Sequence, residues 1–282
     1  MEIPAPRRVP RTQLYLGFAG LALLRNFPDK DEQWIRDRVV LIEHMCREFD
    51  HHEVLELFDA DPVRGYGAWA STYDEGSDAN PLIAVETPVV TEILDSLPPG
   101  RALDAACGTG RWSAYLAQRD HEVRGIDMSE AMLAIAKDKV PTARFELGEL
   151  TSLPVGDGWA DLVVCALALT HVEDLPAAVG EMARVVRPGG RIVVSDMHPF
   201  PVLLGAHAIA PGEGLRAFVR NLHHGHAEYL AAFRGAGLRV LDCLEPVFTE
   251  EQIGRTVPED LVGLAGEAIV GFPAALIWDL ER

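Results

Sequence analysis

The chain has 282 residues, 48% of them hydrophobic, and a formal net charge of −18. Length and apolar content predict a folded core and exclude a disordered chain. The acidic excess repels phosphate backbones and argues against DNA or RNA as substrate, the one basic cluster being Arg7, Arg8 and Arg11.

Residues 1–12 hold three prolines and three arginines and predict a loosely ordered start. The apolar run Leu14 to Leu24 is too short to span a bilayer, and Arg25-Asn26-Phe27-Pro28 follows it in place of a cleavage site. It predicts a buried or interface helix over 12–25, no membrane contact and a soluble, cytoplasmic protein. Cys46, Cys107, Cys165 and Cys243 form no Cys-x-x-Cys pair, which predicts reduced thiols. A second helix is expected from Glu32 to Asp50, with the stripe Ile35, Val39, Ile42, Cys46 and Phe49. A short helix is expected over 53–60. An extension of this size (1–62) buries no core by itself, so it is read as a homodimer contact or as a lid.

Tyr66, Trp69 and Tyr73 then fall on one helical face. A helix over 82–97 ends at Pro98-Pro99-Gly100. Strands are expected at 101–105, 122–126, 143–147, 160–166 and 190–195, with helices at 111–119, 129–138 and 174–186 between them. This alternation predicts an α/β fold with a parallel sheet and helices on both faces. The rhythm breaks in two insertions, 197–225 and 249–272. Around them come a helix at 226–235, a strand at 238–245 and a last strand at 274–280.

Gly108 and Gly110 form a tight turn between the first of these strands and its helix, where a ligand's approach to the backbone is unobstructed. A dinucleotide fingerprint would place a third glycine at 113, where Ser113 stands. Asp104 precedes the turn and suits a ligand carrying positive charge. Asp127 ends the next strand, 17 residues after Gly110, where a carboxylate can accept both ribose hydroxyl hydrogens.

Asp104-Ala105-Ala106-Cys107-Gly108-Thr109-Gly110 resembles motif I of the class I S-adenosylmethionine (SAM) methyltransferases. Gly65 to Asp74 resembles the Tyr-Asp helix that folds over the methionine end of SAM in that family. Gly148-Glu149-Leu150 resembles its adenine loop, with Glu149 one methylene longer than the usual Asp. Trp159 to Ala166 resembles motif IV, and Val186 to Val194 resembles the segment entering the fifth strand. The resemblance implies a Rossmann-like, seven-stranded, mostly parallel sheet with a last antiparallel strand in residues 63–282. The N-terminal helical extension lies outside the resemblance, which implies SAM as cofactor, S-adenosylhomocysteine as product, and a cofactor set of Tyr73, Asp104, Ala106, Gly108, Gly110, Asp127, Met128, Glu149, Leu150, Ala166 and His171. Met128 matches a position that packs on adenine, and the carbonyl of Ala166 one that accepts the amino group of SAM. His171 is open to two readings, a structural hydrogen bond or the lining of the methyl channel.

The expected activity is methyl transfer to an O, N or C atom of a small molecule, a specialised metabolite in the leading reading. The alternative is a methyltransferase-fold protein that cyclises or decarboxylates a natural product. A hydroxyl acceptor would be helped by a general base, and His198, His223 and His224 are the expected catalytic candidates. Clustered histidines also raise a metal site, but their spacing fits no standard set, and none is expected.

Overall fold

The computed structural model describes residues 6–48, 54–75, 80–210, 215–256 and 262–282. Its centre is a seven-stranded sheet. In chain order the strands are β3 (Arg101–Ala105), β4 (Glu122–Asp127), β5 (Arg144–Leu147), β6 (Ala160–Ala166), β7 (Val186–Met197), β10 (Arg239–Leu244) and β11 (Ala275–Glu281). Their spatial order is β10-β11-β7-β6-β3-β4-β5. β3 pairs in parallel with both β4 and β6, so the strand order reverses around it, and a ligand crevice is expected at the carboxyl ends beside it. β11 runs antiparallel between β7 and β10. The expected α/β class and mostly parallel sheet with a last antiparallel strand are what the structure shows.

Alternate residues of the central strands serve opposite faces. On one face Ala102, Leu162, Val164 and Val193 meet Val90 and Leu94 of α4 (Pro81–Asp95) and Trp112 and Leu116 of α5 (Arg111–Ala117). On the other, Leu103, Val163, Cys165, Ile192 and Val194 meet Val179 and Met182 of α7 (Leu175–Val185) and Tyr229 and Phe233 of α9 (His226–Gly235). Each such large side chain contributes about 1.5–3 kcal/mol by leaving water. Near-continuous apolar runs such as Leu162-Val163-Val164-Cys165-Ala166 are what burial on both faces demands.

The N-terminal part differs from the expected all-helical extension. α1 (Thr12–Asn26) and α2 (Glu32–Arg47) are helices, but residues predicted as a short helix form strand β2 (Val54–Ala60). The predicted end of α2, including Phe49, lies outside the described residues. β2 pairs antiparallel with β1 (Arg7–Pro10) and parallel with β9 (Leu215–Val219) of the first insertion, and β9 pairs with β8 (Ala208–Ile209). The resulting four-stranded sheet, in the order β1-β2-β9-β8, fuses the N-terminal segment to an insertion over 150 residues downstream. The second insertion also contains helices, α10 (Glu250–Thr256) and α11 (Val262–Ile269). Tyr15, Ala19 and Ala22 of α1 and Met45 of α2 pack against Leu264 and Ala268 of α11, and Arg38 reaches Glu267 at 2.9 Å. N-terminal segment and insertions therefore build one cap. Of the expected α2 stripe, Ile35, Val39 and Cys46 are exposed, whereas Ile42 packs against the cap core. No helix among the described residues is long and apolar enough to cross a membrane.

Between cap and sheet lies α3 (Pro62–Tyr73). Asp61 caps it by accepting the N–H of Arg64 at 2.8 Å, with Pro62 at the first position. Its far end is clamped where Asp74 accepts the hydroxyl of Thr109 at 2.7 Å and pairs with Lys139 at 2.7 Å.

Candidate active site

A cavity of about 410 Å³ opens at the carboxyl ends of β3, β4, β5 and β6, within the ~300–1,000 Å³ range of small-molecule sites. α3 roofs it with Pro62, Tyr66 and Tyr73. The turn after β3 supplies Ala106 and Gly108, and the end of β4 supplies Asp127, Met128 and Ser129. Gly148, Glu149, Leu150 and Thr151 follow β5, and Ala166, Leu167, Ala168 and His171 follow β6, with Val172, Glu173 and Asp174 at the rim. Nine expected cofactor residues, Tyr73, Ala106, Gly108, Asp127, Met128, Glu149, Leu150, Ala166 and His171, are thus brought around one space.

The turn after β3 carries backbone strain. Ala106 sits at φ +63°, a left-handed conformation that costs an L-residue roughly 1–2 kcal/mol. Gly110 has φ +82° and caps α5, and a Cβ there would come within 3.1 Å of the Ala136 side chain. Gly148 is needed for space, since a Cβ would meet Pro154 at 2.7 Å and Ile126 at 2.9 Å. The N–H of Gly108 donates to Asp127 Oδ2 at 2.8 Å, and that of Ser129 donates to Oδ1 at 2.9 Å. Each carboxylate oxygen keeps a lone pair for a ligand hydroxyl. Burial raises the pKa of Asp127, against the lowering effect of these backbone donors.

Asp104 and Gly110 do not line the cavity. Asp104 lies beneath the turn, 2% exposed, and accepts the Ser113 hydroxyl at 2.6 Å. Burial pushes its pKa from the usual 3.8 up to about 6. Position 113, where the third glycine of a dinucleotide fingerprint is missing, therefore holds the partner of this acid. Arg111 donates to the fully buried Glu86 at 2.8 Å, and Ser195 donates to the same carboxylate, so α4, α5 and the end of β7 are tied beside the turn.

The three histidines expected to be catalytic fall outside the cavity lining. His198 follows β7, but its Nε2 meets Glu245 at 2.8 Å and its Nδ1 accepts the Phe200 N–H at 3.1 Å, capping α8 (Pro199–Leu203). His226 meets the same Glu245 oxygen at 2.9 Å. His198, His226 and Glu245 are close enough to share an ion. However, accepting at Nδ1 leaves the ring proton on Nε2, the reverse of what a ligating histidine requires. His224 Nε2 lies 2.9 Å from the Val172 carbonyl, and His223 lies beside Gly225 at the start of α9. The Val172 carbonyl can only accept, so His224 is the donor. By this geometry His198 and His224 anchor the loops beside the sheet.

Sequence reasoning passed over Tyr66 as a site residue. Its hydroxyl lies 2.9 Å from His171 Nε2, while His171 Nδ1 lies 3.3 Å from the carbonyl of Arg220, just after β9. Its ring stacks on Trp69 at 5.9 Å and meets Tyr73 edge-on at 6.1 Å. The aromatic spacing placed these rings on one face but could not name the partner, 105 residues away.

Residues 103–194 match the family described as a methyltransferase domain. The chain is 31% identical over 221 residues to Methyltransferase GfsG of Streptomyces halstedii, covering 73% of this chain and 75% of that protein. It is 35% identical over 161 residues to a demethylmenaquinone methyltransferase of Beutenbergia cavernae, covering 55% of this chain and 65%, just under two thirds, of that relative. A crystal structure of a SAM-dependent methyltransferase from Mesorhizobium loti superposes with a TM-score of 0.56 at 25% identity, covering 70% of this chain and 98% of that one.

Proposed function

The chain belongs to the class I SAM-dependent methyltransferases, and from that premise we propose that it transfers the methyl group of SAM to a small-molecule acceptor, a specialised metabolite in our reading. The observation that carries the reading is the charge of the cavity. Asp127, Glu149, Glu173 and Asp174 line it, and among the described lining residues there is no Lys or Arg. Such a wall suits a sulfonium and disfavours the pyrophosphate of a dinucleotide.

The residues fit SAM by their own chemistry. Asp127 offers its free lone pairs to the ribose hydroxyls. Met128 and Leu150 provide apolar surface for adenine, and Glu149 reaches for its exocyclic amine. Tyr73 and the Ala166 carbonyl close the methionine end, and Asp104 holds the turn from below. When bound, SAM supplies an electrophilic methyl group on a good leaving group, so the protein's task is largely positioning and exclusion of water. α3 does the latter, lying across the cavity with Asp74 clamped to Thr109 and Lys139. The N-terminal segment and the two insertions form the acceptor side in this reading. A homodimer through α1 and α2 fits it too: residues 12–47 carry five basic and five acidic side chains, a balanced patch on an acidic chain, with Leu14, Leu24, Ile35 and Val39 exposed.

The test is incubation with SAM and a panel of small metabolites, read as release of S-adenosylhomocysteine. Release that depends on an acceptor is the expected result. A metabolite that is cyclised or decarboxylated while SAM stays intact would overturn the reading in favour of a non-methylating reaction.

A further inference from the structure

We propose that Tyr66 and His171 form a proton relay that dedicates this cavity to a neutral hydroxyl acceptor. The inference rests on the reading that the cavity holds SAM.

The direction of the relay follows from its outer end. The Arg220 carbonyl can only accept, so His171 Nδ1 carries the ring proton. His171 Nε2 is then a lone pair, and the Tyr66 hydroxyl, 2.9 Å away, donates to it. Tyr66 has spent its one proton on His171 and can only accept from a third group. Both side chains line the cavity, so that third group is a donor inside it. The backbone next to the base is held as well: the Thr170 N–H donates to the buried Asp196 at 2.7 Å, and Tyr229 donates to the same oxygen at 3.1 Å.

Burial holds the His171 pKa below its ordinary range and pushes that of Tyr66 above. At rest the phenol keeps its proton and the imidazole is an empty base. The titratable groups facing Tyr66 are Tyr73 of α3, Asp127 at the end of β4 and Asp196 of β7, while His171 faces the Tyr66 hydroxyl and the Arg220 carbonyl.

As the acceptor oxygen gains the methyl carbon, it gives its proton to Tyr66 Oη, and Tyr66 passes its own proton to His171 Nε2. A C–O bond forms, the C–S bond breaks with its electron pair left on sulfur, and the positive charge lost there reappears as imidazolium. A carboxylate acceptor has no proton to give and meets Glu173 and Asp174 at the rim. An ammonium must lose a proton before the transfer, whereas this relay takes one during it.

Three probes with one ring system and different head groups separate the cases: 1-naphthol, 1-naphthoate and 1-naphthylmethylamine. Binding to protein loaded with S-adenosylhomocysteine is measured by calorimetry, and product release is measured with SAM. Naphthol is expected to bind about tenfold or more tighter than naphthoate, the like-charged wall excluding the latter. Naphthol should also support release of S-adenosylhomocysteine. Tyr66→Phe keeps the ring and should slow that release by about 10²–10⁴-fold at saturating SAM, as should His171→Asn. The wild-type rate should fall as pH drops through the lowered His171 pKa, and this acid limb should vanish in His171→Asn. Without any turnover, ¹⁵N spectra should show His171 Nε2 unprotonated. Naphthol that neither binds nor reacts, preference for naphthoate or the amine, a protonated Nε2, or variants that keep the rate would each overturn the relay. Failure of the wild-type protein to bind SAM would instead overturn the reading beneath it.

Discussion

Asp127 accepts the backbone N–H of Gly108 at 2.8 Å, so the acid that ends β4 is bonded to the glycine turn that follows β3. One side chain shapes the turn and also presents its remaining lone pairs to the cavity. Asp127→Ala is expected to weaken SAM binding by about 1–3 kcal/mol, roughly fivefold to 150-fold, through ribose bonds lost and a donor left unpaired. Calorimetric titration of the folded variant checks it. An unchanged affinity would remove Asp127 from the ribose role.

Ala106 and Gly110 give opposite expectations from one turn. Ala106 holds φ +63°, so Ala106→Gly should relieve strain and stabilise the protein by up to about 1 kcal/mol after glycine's greater chain entropy is offset. Gly110→Ala should destabilise it by more than that, because φ +82° and the Ala136 side chain 3.1 Å from the added Cβ act together. Denaturant unfolding of both variants is the measurement, and equal effects of the same sign would contradict this account of the turn.

Asp104 makes stability depend on pH. Its folded pKa of about 6 lies above the usual 3.8, so the folded protein binds a proton that the unfolded chain releases in that interval. The stabilisation is complete below the unfolded value and is lost as pH rises through the folded one. Asp104→Asn lacks this dependence. Relative to wild type it should gain about 2–3 kcal/mol between about pH 4 and pH 7.5. A difference that stays flat across that interval would show that Asp104 is ionised throughout.

His198 lies outside the cavity lining and ties α8 to Glu245. His198→Ala is therefore expected to lower stability by about 1–3 kcal/mol and to leave SAM affinity intact. Thermal unfolding beside a SAM titration separates the two, and a fall in affinity at unchanged stability would return His198 to the site.

The sheet was legible because its strands are buried on both faces and read as apolar runs bounded by glycine and proline, as at Arg101–Ala105 and Ala160–Ala166. The cavity was legible wherever a site residue sits at a strand end, as Asp127 does. β2 was not. Val54, Leu55, Leu57 and Phe58 also satisfy a helical spacing, and their strand state is decided by pairing with β9. His198 was picked because every parallel strand ends on the ligand side of the sheet, but beyond the end of β7 it caps α8 and meets Glu245, outside the cavity lining. Of the stripe expected on α2, Ile35, Val39 and Cys46 are exposed while Ile42 packs inward, and periodicity alone does not say what covers a face.

The central claim is that the cavity beside β3 is a SAM site. Calorimetric titration of the wild-type protein with SAM, S-adenosylhomocysteine and NADH tests it most directly. The account predicts saturable binding of SAM and S-adenosylhomocysteine at one site and none of NADH. Binding of NADH with no binding of SAM would contradict it.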